Sequence, residues 1–230
     1  MSEMNRVILG ISGLDEALGG GAPRGALILL SGPPGTGKTT FTMQVSSSFV
    51  RRGSKVAYIS AMTEPFSVVV RYASAFGFFD DGAFLANCTS FDMLAQMRRG
   101  SSLEETLEGI LAQLDSLKPD LIVIDPVTIF KEYVEPGAYR RILDGLFTRL
   151  RLTGATVLMT GEFSEDAAGA RVEPYLVDAV VNLFVERVGV RGYRSLRISK
   201  FRGVDHPLDT MRYEMNSEGV VVFPAQELTG

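Results

Sequence analysis

Eight consecutive residues, Gly32-Pro33-Pro34-Gly35-Thr36-Gly37-Lys38-Thr39, have the types and spacing needed to hold a polyphosphate. They match G-x-x-x-x-G-K-[ST] in full. Glycines in such a loop let backbone N–H groups turn inward onto phosphate oxygens. The helix that follows, from Thr40, adds the positive end of its dipole. Lys38 is placed to reach β- and γ-phosphates, and the Thr39 hydroxyl to ligate Mg²⁺. The loop points to ATP or ADP with Mg²⁺ as its ligands.

A phosphate loop alone gives binding, so hydrolysis needs further groups. Asp125 ends the apolar run Leu121–Ile124, where the carboxyl end of a parallel strand meets a ligand crevice. An aspartate there holds Mg²⁺ through water, in the Walker B manner; the plain alternative is a turn residue before Pro126. Glu64 reads as ending the strand after the loop's helix, one sheet position from the loop strand. A carboxylate there orients or deprotonates the water that attacks the γ-phosphate. The alternative is a surface acid opening a helix at Glu64-Pro65. Thr160 and Glu162 close a further strand, and one of them is a candidate sensor of the γ-phosphate.

These residues need elements to place them. Ala26–Ser31 reads as a strand and Thr40–Arg52 as a helix with Phe41, Val45, Phe49 and Val50 on repeating turns. Lys55–Ser60 is strand-like, Val68–Phe76 helical, and Ala83–Cys88 a short strand. Leu103, Leu107, Ile110, Leu111, Leu114 and Leu117 share one face of a helix over Ser102–Lys118, with Ser102 and Glu105 as a capping box. Pro119 breaks it. The Asp125 strand, a helix over Pro136–Leu152 and a strand over Thr156–Thr160 follow. Alternating β and α elements with continuous apolar strands predict a mostly parallel sheet flanked by helices. After Pro174 the pattern changes to strands at Val177–Glu186, Tyr193–Lys200, Met211–Met215 and Val220–Phe223, hairpins that extend the sheet.

The 230 residues, 46% of them hydrophobic, suit one α/β domain spanning the chain. No apolar stretch approaches the roughly 20 residues of a membrane span. The start, MSEMNRVILG, lacks the layout of an export signal, so a cytoplasmic location is expected. One cysteine, Cys88, excludes an internal disulfide, and one histidine, His206, excludes a histidine-cluster metal site. Acidic residues outnumber basic ones by 27 to 23, a net charge of −4, which weighs against nucleic acid as the main partner. Arg140, Arg141, Arg149 and Arg151 fall on one amphipathic helix and read as a solvated face.

Several stretches of the chain then carry a family resemblance. Gly10-Ile11-Ser12-Gly13-Leu14-Asp15 and Gly20-Gly21-Ala22-Pro23-Arg24-Gly25, followed by the loop, resemble the opening of KaiC-like ATPases within the RecA/RadA superfamily. The likeness continues from Glu64 through Arg71 to Ala75-Phe76-Gly77-Phe78. It resumes at the Asp125 strand and ends at Lys200-Phe201-Arg202-Gly203-Val204-Asp205-His206, similar to the family's K-x-R-G-x-x-H. It covers essentially the whole chain, as one KaiC-type domain where KaiC has two in tandem. The resemblance implies a RecA-like core assembled as a homo-oligomer, in a ring such as a hexamer or in a filament, with ATP between neighbouring subunits. It also implies that Lys200 and Arg202 reach the γ-phosphate of the next subunit's nucleotide, and that His206 lies near the nucleotide or the subunit boundary. Read from the residues alone, the same positions close an alternating strand, with Leu196 and Ile198 one way and Arg197 and Ser199 the other. A plain exposed strand end is the alternative.

Two positions depart from the family pattern. Thr63-Glu64 keeps only the second of two adjacent glutamates, and Pro126 stands where serine is usual. No Ser-Thr pair equivalent to KaiC's autophosphorylation site is identifiable. The resulting expectation is a slow ATPase acting at subunit interfaces and signalling to an unidentified protein partner. Two alternatives stand beside it. One is a RadA-type accessory protein that binds single-stranded DNA; its Gly161–Tyr175 loop holds Glu162, Glu165, Asp166 and Glu173 against Arg171, a poor match to a phosphate backbone. The other is an ATP-binding interaction module without turnover.

Overall fold

Strands made of uninterrupted apolar residues need cover on both faces, and the central sheet of this computed structural model has it. Residues 5–135, 137–162 and 172–224 are described. The chain opens with β1 (Arg6–Val7), α1 (Leu14–Ala17), β2 (Ala22–Pro23), β3 (Leu27–Gly32) and α2 (Lys38–Arg51). Next come β4 (Val56–Ser60), α3 (Phe66–Ala73), α4 (Asp81–Asn87), β5 (Cys88–Asp92), α5 (Met93–Met97) and α6 (Leu103–Leu117). β6 (Leu121–Asp125) leads into a 3₁₀ turn (Val127–Tyr133), then α7 (Tyr139–Leu152), β7 (Thr156–Glu162) and α8 (Glu173–Leu176). The chain closes with β8 (Ala179–Val188), β9 (Arg191–Phe201), β10 (Met211–Asn216) and β11 (Gly219–Phe223).

Nine strands form one sheet in the order β11-β10-β9-β8-β3-β7-β6-β4-β5. From β8 to β5 all neighbours are parallel, and β8 to β11 are joined by antiparallel pairing. The mixed α/β architecture, mostly parallel with C-terminal hairpins, is the one expected. Side-chain alternation splits the core in two. Ile28, Leu30, Val56, Tyr58, Leu121, Val123 and Leu158 pack on the α2 face. Leu27, Leu29, Ala57, Ile59, Ile122, Ile124, Val157 and Met159 pack beneath α6 and α7. Near the N-terminus, the Asp15 carboxylate accepts from the backbone N–H groups of Leu9, Gly10 and Ile11 at 2.8, 2.7 and 3.2 Å. That is the local reason for the Asp in the opening motif.

The capping box of α6 is present, with Ser102 and Glu105 exchanging hydrogen bonds, and Lys118 closes the helix in the left-handed region. Of the arginines on α7, Arg140 and Arg141 are solvated. Arg149 pairs with Glu108, and Arg151 with Asp178. Three expectations need correction or limit. Ala83–Cys88 is not a strand: Asp80 accepts from the Ala83 N–H at 2.9 Å and starts a helix there, and the strand begins at Cys88. β4, which precedes Glu64, lies three places from β3 with β7 and β6 between, because crossovers rather than chain order set the neighbours. Pro136, the expected start of α7, lies outside the described residues, as do Glu165, Asp166 and Arg171 of the acidic loop.

Candidate functional site

β3 delivers the chain into the phosphate loop, and neighbouring strands hold the loop from behind. A side chain at Gly32 would meet the Leu183 carbonyl at 2.6 Å, so β8 backs directly onto the loop's first residue. Gly37 has φ +91°, a conformation that favours glycine, and a Cβ there would lie 2.4 Å from Met215 Sδ of β10. Thr36 is fully buried; its hydroxyl donates to the Pro33 carbonyl at 2.8 Å. Its own carbonyl accepts the Tyr213 hydroxyl at 2.6 Å. Pro34 and Gly35 at the crown are exposed.

Lys38 is 7% exposed. Its Nζ donates to the Gly32 and Pro33 carbonyls at 2.8 and 3.1 Å and lies 3.9 Å from Glu162 Oε1. Burial lowers its pKa, opposed by the charges of Glu162 and Asp125. Asp125 ends β6 and is 2% exposed. Its Oδ2 accepts from the Tyr58 hydroxyl at 2.8 Å and its Oδ1 from Thr160, and the Thr39 hydroxyl lies close enough to favour its charged form. Burial raises its pKa; the bonds from Thr160, Tyr58 and Thr39 and the charge of Lys38 offset that only in part. Thr42 Oγ1 lies 2.9 Å from the Tyr58 hydroxyl and ties the network to α2. The loop threonine and the strand-end aspartate thus meet.

This donor set fits Mg²⁺. A buried carboxylate whose pKa is raised by desolvation gains from a nearby cation, and Thr39 supplies a second hard oxygen. Among the described residues no group of three or more His, Cys, Asp or Glu side chains could form a metal cage. Mg²⁺ normally needs no such cage, because it keeps waters and shares phosphate oxygens.

Glu64 is exposed, four residues past the end of β4. It lines a groove of about 480 Å³ together with Thr39, Thr40, Met43, Tyr72 and Phe76. The groove begins at the loop and is walled mainly by apolar and aromatic side chains, the surface that suits a flat heteroaromatic ring. Of the two sensor candidates, Thr160 is fully buried with its hydroxyl committed to Asp125, whereas Glu162 faces the Lys38 ammonium.

The closing motif lies elsewhere. Lys200 Nζ donates to the Pro174 and Val177 carbonyls at 3.0 and 2.7 Å. Burial and the neighbouring Arg202 lower its pKa. Arg202 is exposed and reaches Asp178 at 3.3 Å. Asp178 also takes Arg151 at 2.7 Å and the Leu27 N–H at 3.0 Å. Burial pushes the Asp178 carboxyl up, but Arg151, the Leu27 N–H and Arg202 hold it below its ordinary value. His206 is half-buried, its Nδ1 3.1 Å from the Val204 carbonyl. Arg202, Asp178 and the carbonyls that hold Lys200 sit at the Leu27 end of β3 and the phosphate loop at the Gly32 end. Five strand steps of about 3.3 Å each separate the two ends by roughly 16 Å.

Tyr58, Tyr213, Thr42, Asp178 and Tyr72 of the groove are residues that the sequence analysis does not name. A tyrosine inside the otherwise apolar run Val56–Ile59 was a usable signal, since a buried hydroxyl requires a partner. Glu173, expected in an acidic loop, is instead fully buried and bonded to Tyr139 and Lys131.

Known proteins match along nearly the same span. The family model described as ATPase KaiC fits residues 7–227. The circadian clock oscillator protein KaiC of Parathermosynechococcus lividus is 31% identical over 96% of this chain and 43% of its own length. The DNA repair protein RadA of Brucella abortus is 31% identical over 86% of this chain and 41% of its own. The chain therefore spans less than half of these two relatives. A UPF0273 protein of Methanopyrus kandleri is 29% identical over 96% of this chain and 93% of its own. The crystal structure of a KaiC-like protein from Pyrococcus horikoshii superposes with a TM-score of 0.83 at 25% identity, covering 96% of this chain and all of that one. With the phosphate loop, the Asp125 network and a family match over almost every residue, the chain belongs to the KaiC-like ATPase family of the RecA/RadA superfamily.

Proposed function

We infer that the protein binds Mg-ATP and hydrolyses it slowly at the interfaces of a homo-oligomer, and that the cycle serves as a conformational signal to a partner. The observation that carries this reading is the separation along β3. The loop end holds Lys38, Thr39 and Asp125 together, while Lys200 and Arg202 are anchored at the other end, out of reach of the chain's own loop. A γ-phosphate on this loop needs its outer charge stabilised from a second copy.

Mg²⁺, when bound, neutralises developing charge on the phosphates. Gly32 to Thr40 cradle the phosphates, Lys38 turns from its loop carbonyls to the β- and γ-oxygens, and Asp125 and Thr39 hold the metal. Glu64 orients and deprotonates the attacking water; Thr63 beside it fits slow turnover. The groove past Thr40 takes the purine. Lys200 and Arg202 of one copy stabilise charge on the neighbour's γ-phosphate, and His206 lies near that boundary. Phosphate release measured alongside particle mass, with and without ATP, tests the reading. ATP-dependent assembly with turnover is expected. A protein that stays monomeric with ATP, or assembles and releases no phosphate, contradicts it; the latter result leaves an ATP-binding interaction module.

A second reading is nucleic-acid binding. The β8–β9 hairpin exposes Arg187, Arg191 and Arg197, and one relative is a DNA repair protein. Salt-dependent retention of single-stranded oligonucleotides supports it; no retention at low salt removes it.

A further inference from the structure

A fully buried carboxylate sits far from the phosphate loop, on the segment that carries Lys200. Glu173 opens α8 with its side chain at 0% exposure. Its Oε1 accepts from Lys131 Nζ at 2.8 Å and from the Tyr139 hydroxyl at 2.7 Å. Its Oε2 is buried with no hydrogen-bond partner among the described residues. Lys131 Nζ also lies 5.0 Å from the centre of the Tyr139 ring, so one cation serves both the carboxylate and the ring face. Burial pushes the Glu173 carboxyl up, but the bonds from Lys131 and Tyr139 outweigh it and hold it below its ordinary value.

The three side chains come from three elements. Lys131 belongs to the 3₁₀ turn that follows Asp125 across Pro126. Val127 and Phe130 of that turn are fully buried, so close packing ties it to the end of β6. Tyr139 opens α7. Just beyond Glu173 come the Pro174 and Val177 carbonyls that take Lys200, and the Asp178 carboxylate that takes Arg202. A contiguous path therefore runs from the metal-side strand end to the two exported cations.

We propose that Lys131, Tyr139 and Glu173 are positioning residues. They fix the 173–178 segment so that Lys200 and Arg202 are presented in one geometry, and that geometry follows the end of the Asp125 strand. The proposal rests on the trans-acting reading of Lys200 and Arg202. Stability alone is a weak reason for such a cluster, since apolar residues of equal volume generally hold a core as well as a buried ion pair does. A charge-assisted pair adds directionality: it sets the register of the backbone that bears it.

The test reads Lys200 directly. Acetylation of the intact protein with N-hydroxysuccinimide acetate, mapped by mass spectrometry, reports whether the Lys200 amine is held by its carbonyls. Lys131→Met is expected to raise Lys200 acetylation about fivefold, the effect of releasing one hydrogen bond. The exposed Lys118 stays unchanged, and Lys131→Arg restores the wild-type level. If Lys131→Met does not fold, Tyr139→Phe replaces it, with a rise of about twofold expected. Unchanged Lys200 acetylation in a folded variant overturns the proposal. Turnover gives the second arm. Lys131→Met lowers kcat with KM for ATP within about twofold of wild type. The double variant with Lys200→Ala is no slower than Lys200→Ala alone, whereas multiplying effects overturn the coupling. If wild type has no turnover, or Lys200→Ala leaves it unchanged, the ATPase reading fails and the acetylation result still decides the positioning.

Discussion

The two ends of β3 carry sites of opposite electrostatic character. At the Gly32 end burial dominates. Lys38 is pushed down and Asp125 up, each toward its neutral form, because their partners are mostly carbonyls and hydroxyls. At the Leu27 end pairing dominates for the carboxylates, while Lys200, held by two carbonyls, is pushed down by burial as Lys38 is. Glu173 and Asp178 are held below their ordinary values by Lys131, Arg151 and Arg202 against the cost of burial. The first end is complementary to a ligand that brings both a polyanion and a divalent cation, since each would restore a charge that burial disfavours. The second is satisfied within the chain and presents Arg202 outward.

Substitutions that strip a charge from either end have the largest expected effects, and binding separates them. Lys38→Ala and Arg202→Ala each lower phosphate release by about 1,000-fold. Only Lys38→Ala also weakens binding of a fluorescent ATP analogue, because the proposed role of Arg202 is at a neighbouring copy's site. Equal loss of binding in both variants would break the distinction between the ends. Glu64→Gln comes next, with kcat down by about 100-fold and analogue binding kept; turnover equal to wild type removes Glu64 from catalysis.

Acid separates the ends by sign. The native values of Glu173 and Asp178 lie below their ordinary 4.5 and 3.8. Their stabilisation is therefore complete above those values and is lost as pH falls through them toward the native ones. Asp125 is shifted the other way from 3.8, so acid relieves its burial cost rather than adding one. Hydrogen exchange followed by mass spectrometry, corrected for intrinsic rates, from about pH 7 to about pH 3 is expected to show 172–178 losing protection before 121–125. The reverse order contradicts the account of pairing. Arg149→Ala, which removes an exposed contact to Glu108, is the smallest expected change. Denaturant unfolding should register less than about 0.5 kcal/mol, and a larger loss would mean that the solvated α7 face packs on something.

Much of the Gly32 end was legible in the sequence because it is local. The loop is eight contiguous residues, and Asp125 ends an apolar run that only a doubly covered strand explains. The Leu27 end was legible in its residue types alone. What anchors Lys200 and Arg202 is Asp178 and the Glu173 segment, which meet Arg151, Leu27 and Lys131 only after the sheet is assembled. Tyr58 and Asp125 are likewise joined by β4–β6 pairing across 67 residues. The place of β4 in the sheet escaped for the same reason. Ala83–Cys88 was misread on different grounds: a short apolar run does not declare its period, and the Asp80 cap decided it.

The central claim is that the two ends complete one active site only across a subunit boundary. Mixing Glu64→Gln with Arg202→Ala subunits tests it most directly. Each variant alone is nearly inactive, but some interfaces in the mixture pair an intact Glu64 loop with an intact Arg202. Phosphate release well above the sum of the separate variants, peaking near equal proportions, is the predicted result. Release that never exceeds that sum, in mixtures shown by mass to have exchanged subunits, would contradict the shared site.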